Sequence, residues 1–310
     1  MAFLLPLVVN KLKSLTKRDA EAIEKAVYLA IDHDTNLVIA IRSEEIKTNK
    51  HCMDTIWETV QAFLGTVYVI QLQASYAKNK PLFDCNVVFQ DLCGYDIFSE
   101  PGIDTICIQE KSDLLTFQYN QKTVLLEMSA SKEIKEFVVQ EHTGPIEPLA
   151  FQRVAVGGTF DHLHAGHRIL LTMTAILAQS SMVVGVTDDC MLTKKAHKEL
   201  IAPTSQRVEY VKNYMQAVKR GIDYYIVPIT DPFGPTATDP TIDALVVSKE
   251  TLKGGDLVNN ERAMRGLPPL ELRIIDVISS NNSSVQGQDM GLLKISSSWI
   301  REYIAKQRAG

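Results

Sequence analysis

Short apolar runs alternate with amphipathic helical patterns along the second half of the chain. The runs are rich in β-branched residues, as expected of strands buried on both faces. They lie at Val154–Val156, Met182–Val186, Tyr224–Val227, Ala244–Val247 and Leu272–Val277. Two helical faces between them are formed by Ile169, Leu170, Met173, Ile176 and Leu177, and by Val208, Val211, Met215 and Val218. This alternation predicts a parallel sheet covered by helices, with a ligand site beyond the carboxyl ends of its strands.

The first half has a less regular pattern, which predicts a mixed α/β domain. Strands are predicted at Phe3–Val9, Leu37–Ile41, Thr66–Leu72, Val87–Phe89, Thr105–Ile108, Leu114–Tyr119 and Thr123–Leu126. Thr16 is expected to cap a helix, whose apolar positions include Ala20, Ile23, Val27 and Ile31. A second helix is predicted over Asp54–Leu64. The apolar start lacks the basic n-region of a signal peptide and contains Pro6, which favours a buried first strand.

The stretch between the two patterns contains Gly144, Pro145 and Pro148, which break regular structure and indicate a linker. We therefore divide the chain into an N-terminal domain at 1–150 and a C-terminal domain at 151–310. The first carries 14 basic and 21 acidic residues, a net charge of −7, whereas the second carries 18 and 16, a net charge of +2. The C-terminal domain is therefore the better candidate for binding an anionic ligand, although its field is weak.

Composition excludes several classes of protein. Of the 310 residues, 45% are hydrophobic and 22% are charged, which is a globular composition. No apolar run approaches the ~20 residues that cross a bilayer, and the net charge of −5 gives no basic footprint for nucleic acid. The five cysteines form no CxxC pair, so neither a disulfide framework nor a thiolate zinc site is predicted. A reducing compartment follows, and we expect the cytoplasm, with access to the nucleus left open.

A glycine- and histidine-rich segment follows the first predicted strand of the C-terminal domain. It reads GGTFDHLHAGH from Gly157 to His167. Two glycines let the backbone turn and approach a ligand closely, and the helix that begins near Ala165 offers unpaired N–H groups to a phosphate. His164 and His167 lie three residues apart and therefore share one face. An ordinary turn or a metal site would also fit parts of this pattern, but no further Cys or carboxylate ligand occurs at matching spacing.

The segment resembles the first signature of the nucleotidyltransferase superfamily, in which His-x-Gly-His follows a glycine-x-phenylalanine segment. His164–His167 match this motif residue by residue. Near the other end, Lys294–Arg301 reads KISSSWIR and resembles the second signature, I-S-S-[ST]-x-x-R. Over about residues 151–305 the sequence is most similar to the eukaryotic phosphopantetheine adenylyltransferase family, including the segment Pro228–Pro235. A kinase domain follows in animal relatives, but no kinase activity is expected here because no G-x-x-x-x-G-K-[ST] motif is present.

The resemblance implies a Rossmann-like fold and adenylyl transfer from ATP to 4′-phosphopantetheine, which gives dephospho-coenzyme A and pyrophosphate. The attacking phosphate oxygen is already ionised at neutral pH, so positioning and electrostatics do the work, with Mg²⁺ offsetting part of the charge. No metal site in the protein itself is expected. Catalytic roles are implied for His167, His164 and Lys198. ATP contacts are implied for Gly157, Gly158, Thr159, Phe160, His164, His167, Ser296, Ser297, Ser298 and Arg301, and acceptor contacts for Thr159, Lys198 and Arg207.

Several assignments remain alternatives at this point. Lys194 and Lys195 compete with Lys198 as the phosphate-binding lysine, Arg207 either contacts the acceptor or caps its helix, and the role of Asp161 is open. The nearest alternative function is a nucleotidyltransferase for nicotinamide mononucleotide, or for a choline or glycerol phosphate. Another is a scaffold that keeps the fold without catalysis. For the N-terminal domain we expect a scaffold or regulatory role, such as a complex with other enzymes of coenzyme A biosynthesis.

Overall fold

A computed structural model of the chain describes residues 1–110, 121–129, 134–136, 147–275 and 295–309. These residues form two compact units, which divide between positions 146 and 147. The division lies near the domain boundary predicted at residue 150. Part of the predicted linker falls before position 147 and lies outside the described residues.

The first unit is built on a parallel sheet with the order β4-β3-β1-β5-β6. Its strands are β1 (Ala2–Val8), β2 (Ser14–Thr16), β3 (Asn36–Arg42), β4 (Cys85–Phe89), β5 (Ile103–Ile108), β6 (Lys122–Leu125) and β7 (Ile134–Glu136). Strands β2 and β7 pair in a separate antiparallel ribbon. The helices are α1 (Lys17–Asp32), α2 (Glu44–Asn49) and α3 (Trp57–Ala77). The chain runs from the middle strand to one edge and then crosses to the other side, which is the order of doubly wound sheets.

Most strands predicted in the first half are confirmed, but one is wrong. The run Thr66–Leu72 lies within α3, which also takes in most of the helix predicted at Asp54–Leu64. Its β-branched residues look strand-like because α3 is buried around most of its circumference, so no polar face marks the helical period. The predicted strand Leu114–Tyr119 lies outside the described residues.

The first helix begins with a closed cap. The Thr16 hydroxyl accepts a hydrogen bond from the backbone N–H of Asp19 at 3.0 Å, and the Asp19 carboxylate accepts one from the Thr16 N–H at 3.1 Å. This capping box confirms the cap predicted at Thr16. The cap uses one of the backbone N–H donors at the start of the helix and places a negatively charged carboxylate beside it. Both effects disfavour binding of an external anion at this helix start.

The second unit repeats the strand order of the first, as β10-β9-β8-β11-β12, and all neighbouring strands are parallel. Its strands are β8 (Phe151–Gly158), β9 (Ala178–Thr187), β10 (Asp223–Ile229), β11 (Ala244–Ser248) and β12 (Glu271–Ile275). Its helices are α4 (Ala165–Leu177), α5 (Thr204–Val218), α6 (Leu252–Met264) and α7 (Ser297–Ala309). The five predicted strands are confirmed, although the last two residues of Leu272–Val277 lie outside the described residues. Both units therefore confirm the predicted α/β class.

The strand order of the second unit reverses between β8 and β11. From β8 the chain moves outward to β9 and β10, and it then returns to the other side of β8. Doubly wound sheets bind their ligands beyond the carboxyl ends of the strands at such a reversal. The segment between β8 and α4 lies at this position. The five apolar residues predicted on the face of α4 are all buried, so the helix is anchored firmly behind the segment.

Candidate active site

The turn between β8 and α4 has a strained backbone. Phe160 and His162 both have φ of +50°, in the left-handed region that non-glycine residues rarely adopt. The Phe160 ring is fully buried against Gly158, where an added Cβ would lie 3.1 Å from the ring. Gly158 is therefore needed for close packing, whereas the left-handed residues of the turn come after the glycine pair. Because the Phe160 side chain is buried, only its backbone is left for the predicted ATP contact.

The two signature histidines lie side by side at the start of α4. Their rings stack with centroids 4.0 Å apart and planes 27° apart. Burial is the largest cause that lowers both pKa values: it holds the pKa of His164 well below its usual range and brings the pKa of His167 to about 4. Both imidazoles are therefore neutral at pH 7, and each carries one N–H donor and no charge. A backbone hydrogen bond with His162 opposes part of the shift in the pKa of His167.

The serine motif reaches the histidine turn from a distant part of the sequence. The Ser297 hydroxyl donates to the carbonyl of Asp161 at 2.9 Å, across 136 positions of the chain, and lies 3.5 Å from His164 Nε2. The Ser296 hydroxyl accepts from the Trp299 N–H at 3.3 Å and caps α7. The two signatures therefore converge on one site, as their pairing predicted. Lys294, which directly precedes the second signature, lies outside the described residues.

Arg301 is buried and paired inside the protein. The exposed fractions of the Arg301 and Asp161 side chains are 2% and 1%, and Nη1 donates to Asp161 Oδ2 at 2.5 Å. Nε donates to the carbonyl of Ala196 at 2.9 Å, and Nη2 donates to the Ser298 hydroxyl at 3.2 Å. The contacts of this guanidinium in the structure are thus with protein groups, which differs from the ATP contact that the resemblance implies for Arg301.

Of the three candidate lysines, Lys195 is the one with an electrostatic link to the site. Loss of solvent is the largest cause that lowers its pKa, Arg301 lowers it further, and Asp161 opposes both. Lys195 in turn contributes to the low pKa of His167. Lys198 begins a short 3-10 helix, Lys198–Leu200, and the side chains of Lys195 and Lys198 are both exposed. The link to His167 makes Lys195 our first candidate, and the role of Lys198 stays a prediction.

The C-terminal domain contains the segment that matches a known family model. Residues 155–302 match a family model described as Cytidylyltransferase-like. An uncharacterised protein of Schizosaccharomyces pombe is 46% identical over 152 residues, which are 49% of this chain and 48% of that protein. The chain thus spans about half the length of that relative. A protein of Pyrococcus abyssi named phosphopantetheine adenylyltransferase is 37% identical, over 49% of this chain and 90% of its own.

A protein of the same name from Saccharomyces cerevisiae is 30% identical over 261 residues, which are 79% of this chain and 84% of that protein. The chain belongs to the phosphopantetheine adenylyltransferase family. It is therefore a nucleotidyltransferase, and the converging histidine and serine motifs are its candidate active site. The 261 matched residues exceed the length of the C-terminal domain, so the similarity to the yeast protein also includes part of the N-terminal domain.

In this family member, Arg207 connects several segments of the protein through hydrogen bonds. Its side chain is fully buried, and its nitrogen atoms make five hydrogen bonds of 2.7–3.0 Å. The acceptors are the carbonyls of Ala202, Thr159 and Thr187, the carboxylate of Asp189 and the hydroxyl of Thr204. These bonds occupy all five guanidinium N–H groups. The acceptor contact predicted for Arg207 is therefore corrected: Arg207 holds the backbone at Thr159 and at the carboxyl end of β9.

Two acidic residues have roles that were not assigned from the sequence. Asp161 joins the histidine turn to α7 through both its carboxylate and its carbonyl. Its position inside the first signature, next to the histidines, was the available signal. Asp189 pairs with the buried Arg207 at 2.7 Å, and nothing in its local sequence indicates that partner. Gly157 is exposed and Thr159 is half-buried at the end of β8, so both are accessible to a ligand.

Within the described ranges, no group of three or more His, Cys, Asp and Glu side chains could hold a metal ion. Asp161, the buried carboxylate of the turn, is already paired with Arg301. Within the same ranges, no helix has the length and apolar character that crossing a membrane requires.

The low pKa of His167 gives a testable pH dependence. Without substrates, we expect its ring signals to titrate near pH 4 and not near the unperturbed value of 6.5. Between these values the unfolded chain binds a proton that the folded chain does not, so stability is complete above 6.5 and falls as the pH drops towards 4. An NMR titration of the histidine rings, together with unfolding midpoints against pH, measures both effects. Titration of His167 at 6.5 would contradict a buried, neutral ring.

Proposed function

We propose that the chain transfers the adenylyl group of ATP to 4′-phosphopantetheine and releases dephospho-coenzyme A and pyrophosphate. The convergence of Ser297, Asp161 and His164 at the start of α4 is the observation that carries this proposal. It brings a helix N-terminus, two imidazoles and a serine-capped second helix to one place, a combination suited to a polyphosphate. The names of the yeast and archaeal relatives support the choice of acceptor.

In the proposed reaction, a phosphate oxygen of 4′-phosphopantetheine attacks the α-phosphorus of ATP. One phosphorus–oxygen bond forms to the acceptor, and the bond between the α-phosphorus and the bridging oxygen breaks, so that pyrophosphate leaves with that electron pair. The acceptor oxygen is already ionised, so no covalent intermediate and no strong general base are required. The protein contributes orientation and stabilisation of the charge that develops at the α-phosphate.

His167 is proposed to donate its imidazole N–H to an α-phosphate oxygen, and His164 to a neighbouring oxygen. A neutral donor avoids the cost of burying an unpaired charge before the substrate arrives, and it keeps a directed hydrogen bond for the transition state. The start of α4 adds backbone N–H groups, because the structure gives His164 no side-chain cap bond there.

The remaining groups are proposed to hold the two phosphorylated substrates. Thr159 orients the attacking phosphate from the end of β8, where Arg207 fixes its carbonyl at 2.8 Å. Ser296, Ser297 and Ser298 hold the β- and γ-phosphates at the start of α7. Lys195 supplies the mobile cation. Mg²⁺ is proposed to arrive with ATP as part of the substrate, bound to its phosphates, where it offsets part of their charge.

We further propose that the N-terminal domain is not needed for the chemistry. The Pyrococcus abyssi relative matches about half of this chain but 90% of its own length. For this domain we propose a scaffold or regulatory role, such as binding another enzyme of coenzyme A biosynthesis in the cytoplasm or the nucleus. The closed cap of α1 bears only on phosphate binding, because its donor group is already used.

The proposed function is tested by a pyrophosphate-release assay of the purified full chain. ATP and CTP are each offered with 4′-phosphopantetheine, nicotinamide mononucleotide, choline phosphate and glycerol 3-phosphate, and the products are identified by mass. We expect turnover with ATP and 4′-phosphopantetheine, and formation of dephospho-coenzyme A. Turnover with CTP or with nicotinamide mononucleotide, and none with 4′-phosphopantetheine, would overturn the assignment.

A further inference from the structure

We propose that Asp161 and Arg301 form a positioning pair that holds the histidine turn, the lysine loop and the serine motif in register, and that Arg301 does not act as a ligand of the triphosphate. The lysine loop is defined here as residues 194–200. The proposal rests on the proposed function for its kinetic readouts, and it rejects the phosphate contact that the second signature suggests for its arginine.

The burial of the pair is the first observation. The exposed fractions of 2% for Arg301 and 1% for Asp161 leave almost no surface of either side chain for a ligand. A residue that binds a triphosphate directly must present its cation to the incoming anion. Here the cation is opposed at 2.5 Å by a carboxylate, so its field is largely cancelled before ATP arrives.

The second observation is the distribution of the arginine's partners over separate segments. Nη1 binds Asp161 in the histidine turn, and Nε binds the carbonyl of Ala196 in the lysine loop at 2.9 Å. Nη2 binds the Ser298 hydroxyl within α7 at 3.2 Å. The planar guanidinium sets these three directions rigidly, which an ammonium group could not reproduce. One side chain thus connects the three segments that the proposed reaction uses.

The third observation is that Asp161 binds the serine motif twice. Its carboxylate accepts a hydrogen bond from Arg301, while its carbonyl accepts one from the Ser297 hydroxyl at 2.9 Å. Its other carboxylate oxygen lies 3.5 Å from His162 Nε2, within the turn itself. Because Ala196 follows Lys195 directly, the same network also fixes the backbone beside the candidate phosphate-binding lysine.

This arrangement predicts a specific kinetic pattern. Loss of the pair misplaces the histidines and Lys195 relative to bound ATP, which lowers kcat. ATP affinity changes little, because Arg301 does not contribute a direct contact. Since the two side chains act as one unit, removing the second partner costs little once the first is gone.

The test is a double-mutant cycle with Asp161→Asn, Arg301→Gln and the double variant, measured by pyrophosphate release and by ATP binding. We expect each single variant to lower kcat by roughly tenfold or more while the Kd for ATP stays within about threefold, and the double variant to be no slower than the worse single. The matched control is Arg265→Gln, which breaks an exposed ion pair with Glu261 on α6 and should leave kcat unchanged. A tenfold weaker Kd for ATP at unchanged kcat, or losses that multiply in the double variant, would overturn the proposal.

Unfolding of a single variant is a separate concern, because each leaves a buried charge without its partner. Arg301→Lys keeps the positive charge but lacks the planar guanidinium with its fixed N–H directions. We therefore expect this variant to fold and to keep its Kd for ATP, but to have a lower kcat. An Arg301→Lys variant with normal kcat would count against the proposal.

Trypsin cleavage at Lys194, Lys195 and Lys198 gives a readout that does not depend on turnover. We expect cleavage at these lysines to become faster in Arg301→Gln, even if the acceptor proves to be another phosphate, and unchanged cleavage would contradict the link to Ala196.

Discussion

Replacement of His167 by alanine is expected to lower kcat by about 10²–10³-fold, the usual cost of losing one donor to a developing transition-state charge. The KM for ATP should change far less, because the bond is proposed to strengthen only as charge accumulates on the α-phosphate. Steady-state pyrophosphate release at saturating acceptor measures both parameters.

The control for this experiment is His33→Ala, which removes an exposed imidazole from the other unit and should leave kcat unchanged. The His167 ring packs against Phe160 with centroids 5.4 Å apart, so circular dichroism and the unfolding midpoint must show that the variant is folded. A folded His167→Ala protein that releases pyrophosphate at the normal rate would support the scaffold alternative over catalysis.

Replacement of Lys195 by alanine is expected to reduce kcat/KM for the acceptor by roughly 10²-fold, because a cation close to the transferring phosphate is lost. Lys198→Ala is the matched comparison, since it removes the same side chain three residues away. Lys195 and Lys198 are both exposed, so exposure does not separate them, and we expect Lys198→Ala to stay within about threefold of the parent because only Lys195 is proposed to reach the phosphates. The same pyrophosphate assay, run against acceptor concentration, separates the two variants.

The reverse ranking would return the assignment to Lys198, the residue predicted from the sequence. Equal and small effects in both variants would mean that neither ammonium group reaches the phosphates. Since Lys195 contributes to the low pKa of His167, its removal should also raise that pKa, which the histidine titration can measure. This second readout is independent of the acceptor that is used.

Local pattern was enough to predict most of the strands, because apolar runs and caps act through near neighbours in the chain. The failure at Thr66–Leu72 has a physical cause. A helix that is buried on nearly all sides loses the polar stripe that distinguishes a period of 3.6 from a continuous apolar strand. The strand pattern of the second unit was easier to interpret, because its helices α4 and α5 separate the buried runs clearly.

The membership of the site was predictable, but the roles of its two arginines were not. Arg301 meets Asp161 across 140 positions, and Arg207 meets the carbonyl of Thr159 across 48. Sequence motifs give the identity of a side chain without its partner, so a buried, neutralised arginine and an exposed phosphate ligand have the same pattern. The preference for Lys195 among the three lysines could not be predicted either, because its effect on the pKa of His167 depends on the fold.

The two sheets share one strand order, yet the helices that follow their first strands begin differently. Thr16 and Asp19 close α1, whereas the start of α4 has no side-chain cap bond in the structure. The strand order taken alone would therefore predict a phosphate-binding helix start in both units. The difference lies in the connector between the first strand and the helix, since the strand order of the two sheets is the same.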